Sequence, residues 1–184
     1  SAVKVFNWLG TVYRGNLQLT SAMLFALSFV ALFIIGGLSG IFMAATPVDI
    51  YIHDTYFIVG HIHYVLFTSS LMGIFAGIYY WFPKATGRKM NDTLGLIHFV
   101  GSFIAINLVF FPMFVQGLAG MNRRMYDGGA MYTHNAAVMH WNVIQGYASW
   151  ALGLFQIPFI VNFFMSIKWG KVVDRNPWEA TTLE

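Results

Sequence analysis

The sequence predicts an all-α membrane protein of four spanning helices, and three observations predict it. Of the 184 residues, 58% are hydrophobic and only 9% charged, with a mean hydropathy of +0.63, a membrane composition. Four stretches run without Lys, Arg, Asp or Glu for longer than the ~20 residues a helix needs to cross the hydrocarbon core. Their interiors are rich in Leu, Phe, Ile, Met, Ala and Gly and lack the strict polar–apolar alternation of a membrane β-strand, which leaves helices as the way to satisfy the backbone.

In chain order, Ser1 to Gly10 reads as the tail of another helix. The first residue is not Met and no charged-then-apolar signal segment precedes it, so the chain is expected to be a fragment or a split half. The charge-free windows cover residues 19–48, 55–83, 93–122 and 128–167. They predict helices at about 19–45, 55–83, 93–119 and 136–168, all within a single transmembrane domain spanning 1–184. Pro83 is expected to close the second helix, Asn91-Asp92-Thr93 to cap the third, and Pro158 to kink the fourth.

Composition also excludes function classes. Cysteine is absent, which removes disulfides, CxxCH haem attachment and thiolate metal sites. Gly-rich phosphate loops and nucleophile elbows are missing, and the pI near 9.2 comes from loop cations without a basic stripe for nucleic acid. Lys84, Arg88 and Lys89 in one loop and Lys168, Lys171 and Arg175 in the tail predict the cytoplasmic side or its equivalent. The opposite side then carries Asp49, His53 and Asp54 together with Arg123 and Arg124. That arginine pair breaks the positive-inside trend, and fixed anions at the membrane surface would explain it, since guanidinium groups bind carboxylates with two prongs.

The stretch from His53 to Val65 brings three of the six histidines to the outer end of one helix. A lone intramembrane His is usually a packing residue or a proton relay. His61 and His63, however, lie two positions apart, which at about 100° per residue sends them to opposite faces. They cannot share one metal, for which His-x-x-x-His would be the helical spacing. A helix wedged between two cofactors fits better, and two haems, each taking one axial imidazole, meet that geometry. A start near Thr55 puts both residues about 9 to 12 Å inside the helix, so haems at that level would direct their propionates toward Arg123 and Arg124.

His53-Asp54-Thr55-Tyr56-Phe57, then His61-x-His63-Tyr64-Val65, then Gly120-Met121-x-Arg123-Arg124 resembles subunit I of the haem-copper terminal oxidases. The similarity includes Val3-Lys4-Val5-Phe6-x-Trp8, Asn91-Asp92-Thr93 with Ile97-His98-Phe99, and the run from Asn176-Pro177-Trp178 to Glu184. The resemblance implies the last four helices of a twelve-helix subunit, in a bacterial plasma membrane or mitochondrial inner membrane. It implies oxygen reduction to water coupled to proton translocation, with electrons from cytochrome c or quinol. Subunits II and III and the rest of subunit I are the implied partners, beside the lipid bilayer.

By the same resemblance His61 is the sole protein ligand of a high-spin, oxygen-binding haem and His63 one of two ligands of a low-spin haem. Both haems are expected to be of the a type, on which the sequence itself is silent. Copper ligands lie upstream of this chain, so it cannot reduce oxygen alone. His53 and Asp54 correspond to a Mg site completed by water and a carboxylate of subunit II. Arg123 and Arg124 correspond to the propionate-binding pair, Asp49 to a carboxylate near the high-spin haem's propionates, and Lys4 to the lysine of a proton-input path. Ile62 stands where the family commonly has Phe, and the loop from Met125 to His134 departs from the family's pattern.

His98, His134 and His140 are expected to be packing, loop and interface residues. Two other classes remain open on the residues alone. One is a bis-His electron-transfer cytochrome, the other a transporter with a His proton relay.

Overall fold

The computed structural model describes residues 2–174 and 176–179; Ser1, Arg175 and residues 180–184, where the resemblance ends, lie outside the described residues. The chain is an all-α membrane fold. α1 (Ala2–Val12) is followed by α2 (Ser21–Ala44), a short α3 (Thr46–Ile52), α4 (Tyr56–Ile62), a π-helical segment (His63–Thr68) and α5 (Ser69–Thr86). Then come β1 (Arg88–Lys89), α6 (Asp92–Leu118), a 3-10 turn (Thr133–Val138), α7 (His140–Leu154), α8 (Gln156–Trp169) and β2 (Lys171–Val172).

Four helical runs are long and apolar enough to cross a membrane: Ser21–Ala44, Tyr56–Thr86, Asp92–Leu118 and His140–Trp169. Their starts follow local chemistry. The Thr20 hydroxyl accepts from the Met23 amide at 3.3 Å, the Thr55 hydroxyl from Phe57 at 3.2 Å, and the Asn91 side chain from Leu94 at 3.1 Å. Each satisfies a donor that the first helical turn leaves unpaired.

Two local features differ from the sequence expectation, and a third meets it. Pro83 sits inside α5 rather than at its end; the stop is Gly87, at φ +70, whose amide donates to the Pro83 carbonyl at 2.7 Å. A proline removes one N–H and crowds the carbonyl four residues earlier, which a helix can absorb locally, whereas a left-handed residue turns the backbone away. The second span also contains the π-helical turn, where the Tyr64 carbonyl accepts the hydroxyls of Thr68 at 3.0 Å and Ser69 at 2.5 Å. The fourth span breaks at Phe155, because Pro158 has no N–H for the Leu154 carbonyl four residues earlier.

α2 packs along α5, α4 along α6, and α6 along α7. The core is aromatic: fully buried Phe25 stacks on Tyr79 at 5.6 Å and meets Phe75 and Phe99 at 5.5 and 5.1 Å. β1 pairs antiparallel with β2, and Arg88 donates to the Gly170 carbonyl at 2.9 Å. Both basic connections therefore lie at one end of the bundle, with α3 and the segment after α6 at the other.

Candidate functional site

The outer end of the α4 span is held by backbone first. Thr55 and Asn122 form an antiparallel bridge, Tyr56 N–H donates to the Met121 carbonyl at 2.9 Å, and Arg123 N–H donates to the Asp54 carbonyl at 2.9 Å. This clamp brings together residues that are far apart in sequence. The Arg123 guanidinium donates from Nε to Asp54 Oδ1 at 2.7 Å and pairs with the same oxygen through Nη2. His53 lies 3.5 Å from the other carboxylate oxygen of Asp54 through Nε2 and 3.9 Å from Asp49 through Nδ1.

Asp49, His53, Asp54 and Arg123 thus form one continuous polar chain. Arg123 holds the Asp54 carboxyl below its ordinary value, chiefly through that hydrogen bond, with its charge and those of His53 and Arg124 adding to it and desolvation opposing. Asp54 and Arg124 both occupy the left-handed region, at φ 56 and 66. Arg124 is exposed and makes no ion pair among the described residues. One arginine is therefore balanced by Asp54 and the other presents a free guanidinium.

About two helical turns further in, His61 and His63 are both half-buried and face different neighbours. His61 points at α2, where its Nδ1 lies 2.8 Å from the Gly36 carbonyl and 2.9 Å from Ser39 Oγ. His63 points toward α6, its ring stacked on Phe110 at 4.5 Å and 17°, with Nδ1 2.7 Å from the Val59 carbonyl. A carbonyl can only accept, so in both rings Nδ1 carries the proton and donates. Nε2 has no protein partner among the described residues, and in the neutral form of the ring it carries the lone pair. Two imidazoles, each oriented by a carbonyl and turned to a different neighbouring helix, suit two separate metal centres of the axial-imidazole kind.

The close fit of His61 depends on Gly40, since a Cβ there would sit 2.9 Å from His61 Cε1. Gly36, Ser39 and Gly40 fall on one face of α2 at spacings of three and four. The Ser39 contact was not legible in the sequence. Nor was Phe110, whose role required knowing that α6 faces His63.

His98 differs. It is fully buried, donates from Nε2 to Gln156 Oε1 at 3.1 Å and accepts from the Tyr79 hydroxyl at Nδ1, 3.2 Å away. No nitrogen is left for a metal, in keeping with a packing role. Lys4 is exposed on α1, about two turns from the inner end of that helix and apart from the outer chain. His53 and Asp54 supply two oxygen and nitrogen donors to a cation, and among the described residues no group of three or more metal-binding side chains occurs. A site there needs ligands from outside this chain, as water and a partner carboxylate would provide.

Residues 1–167 match the family model described as Cytochrome C and Quinol oxidase polypeptide I. The chain is 48% identical over its full length to cytochrome c oxidase subunit 1 of Synechocystis sp., covering 32% of that protein. It is 45% identical over its full length to cytochrome c oxidase subunit 1 of Thermostichus vulcanus, again covering 32%. Over 98% of its length it is 40% identical to a probable cytochrome c oxidase subunit 1-beta of Nocardia farcinica, covering 30%. The chain spans about a third of the length of these relatives.

Proposed function

The chain belongs to the cytochrome c and quinol oxidase polypeptide I family, and we propose that it forms the C-terminal part of the catalytic subunit of a respiratory terminal oxidase. That enzyme reduces oxygen to water with electrons from cytochrome c or quinol and couples this to proton translocation. It acts only as a complex, with the remainder of subunit I and subunits II and III, in a bacterial plasma membrane or mitochondrial inner membrane. The observation that carries the reading is that His61 turns to α2 and His63 to α6, each with Nδ1 held by a carbonyl and Nε2 without a protein partner among the described residues.

His61 is the axial ligand of the high-spin haem and His63 one of two protein ligands of the low-spin haem. When bound, the haem held by His61 would supply oxygen-binding chemistry together with a copper held outside this chain, and the haem held by His63 would pass electrons. The chain's own residues bind and orient. Gly36 and Val59 set the tautomers, Gly40 gives His61 room, and Phe110 covers one face of the His63 ring. Arg123 and Arg124 serve the propionates unequally: Arg124 is the free cation, while Arg123 is shared with Asp54.

His53 and Asp54 Oδ2 hold Mg from one side, and Asp49 lies within the same polar chain as a station for protons leaving the site. Lys4 carries protons inward at Nζ from the inner side. The reading is tested by reduced-minus-oxidised spectra of the assembled complex with and without carbon monoxide. One CO-reactive haem and one unreactive haem are expected. Two unreactive haems would indicate a bis-His cytochrome, and no haem a transporter.

A further inference from the structure

Ser39 is buried and closes a triangle around His61. Its hydroxyl donates to the Gly36 carbonyl at 2.6 Å, the same carbonyl accepts His61 Nδ1–H at 2.8 Å, and Ser39 Oγ lies 2.9 Å from that Nδ1. The Nδ1 proton is thus forked between two oxygens. A hydroxyl that donates onward is a better acceptor, because hydrogen bonds in a chain polarise one another. The path from Nδ1–H to Ser39 Oγ to the Gly36 carbonyl is such a chain. His63 has no counterpart: its Nδ1 meets the Val59 carbonyl alone among the described residues.

We propose that Ser39 is a positioning residue that makes His61 the stronger imidazole donor of the pair, by adding a second, polarised acceptor to Nδ1–H and fixing the ring against rotation. The proposal rests on His61 being an axial haem ligand. An acceptor on Nδ1–H raises the basicity of Nε2, which strengthens the bond to iron and favours its oxidised form. Loss of the hydroxyl should therefore weaken that bond and raise the potential of this haem.

The test is resonance Raman spectroscopy of the reduced, assembled oxidase, reading the iron–histidine stretching band of the five-coordinate haem, with a redox titration beside it. In Ser39→Ala the band should move to lower wavenumber and the potential should rise at unchanged haem content. Ser39→Thr should restore both. Ser39→Cys, which keeps a weaker acceptor and serves if Ser39→Ala does not assemble, should shift them the same way by less. A native band and potential in Ser39→Ala or Ser39→Cys, with the band lost in His61→Ala, overturns the proposal alone. A band that persists in His61→Ala overturns the ligand reading and the proposal with it.

Discussion

His98 and the pair His61 and His63 are all intramembrane histidines, and the difference between them lies in what each ring nitrogen meets. His98, near the inner end of α6, uses both nitrogens on protein partners, Gln156 and Tyr79, within a shell of Phe25, Phe75 and Phe159 at centroid distances of 5.0, 4.5 and 5.1 Å. His61 and His63, in the outer part of the Tyr56–Thr86 span, each use Nδ1 on a carbonyl and leave Nε2 free among the described residues. A satisfied imidazole locks helices together; one held by Nδ1 alone keeps Nε2 available, as the proposed ligand role requires. Residue type and depth do not separate the two cases, but the tautomer does.

The contrast can be broken from either side. His98→Leu removes the Tyr79 hydroxyl's bond to the imidazole and leaves the Gln156 carbonyl oxygen without its donor in the core, at about 1–3 kcal/mol. Thermal unfolding of the complex should shift clearly downward, while the haem spectrum per assembled complex stays native; loss of either haem signature would make His98 more than packing. Gly40→Ala acts on the other region, pressing a methyl against His61 Cε1 at a cost of about 1–3 kcal/mol. The CO-binding haem should be depleted or altered with the unreactive haem intact, and equal loss of both would contradict the opposed-face arrangement.

Smaller effects are expected at the inner end, where Trp178 donates to the Tyr80 carbonyl at 3.0 Å and stacks on its ring at 5.7 Å. Trp178→Ala removes one hydrogen bond, worth about 0.5–1.5 kcal/mol, together with the stacking. Thermal unfolding should fall modestly without spectral change at either haem. The subtlest prediction concerns pH. The Asp54 carboxyl is depressed in the folded state, so its pairing with Arg123 contributes above the ordinary carboxyl value of 3.8 and is lost as pH falls through the lowered one. Arg123→Gln should move the Asp54 titration upward, seen as an infrared carboxylate change; an unmoved titration would mean that the pair has no electrostatic role.

Much of this was legible in the sequence. Charge-free windows reveal spans because a buried charge in lipid is costly, and the cap at Asn91 is a one-residue signal with a local mechanism. The opposed faces of His61 and His63 followed from helix periodicity alone. What was not legible depends on partners remote in sequence. The π-helical turn after His63 rests on hydroxyls of Thr68 and Ser69 that also fit an ordinary helix. The capture of Arg123 by Asp54 needed the Thr55–Asn122 bridge, and the Ser39 contact needed the register of α2 against α4. Pro83 misled because α5 runs through it and stops only at Gly87, where the left-handed backbone turns the chain away.

The central claim is that one helix serves two metal centres through two separate nitrogens. It is tested most directly by single substitutions in the assembled complex, His61→Ala and His63→Ala, each followed by reduced-minus-oxidised and CO-difference spectra. His61→Ala should abolish or strongly perturb the CO-reactive signal with the low-spin band in place, and His63→Ala should lose or convert the low-spin band with CO binding retained. If either substitution altered both haems equally in a normally assembled complex, separate ligation from opposite faces of α4 would be wrong.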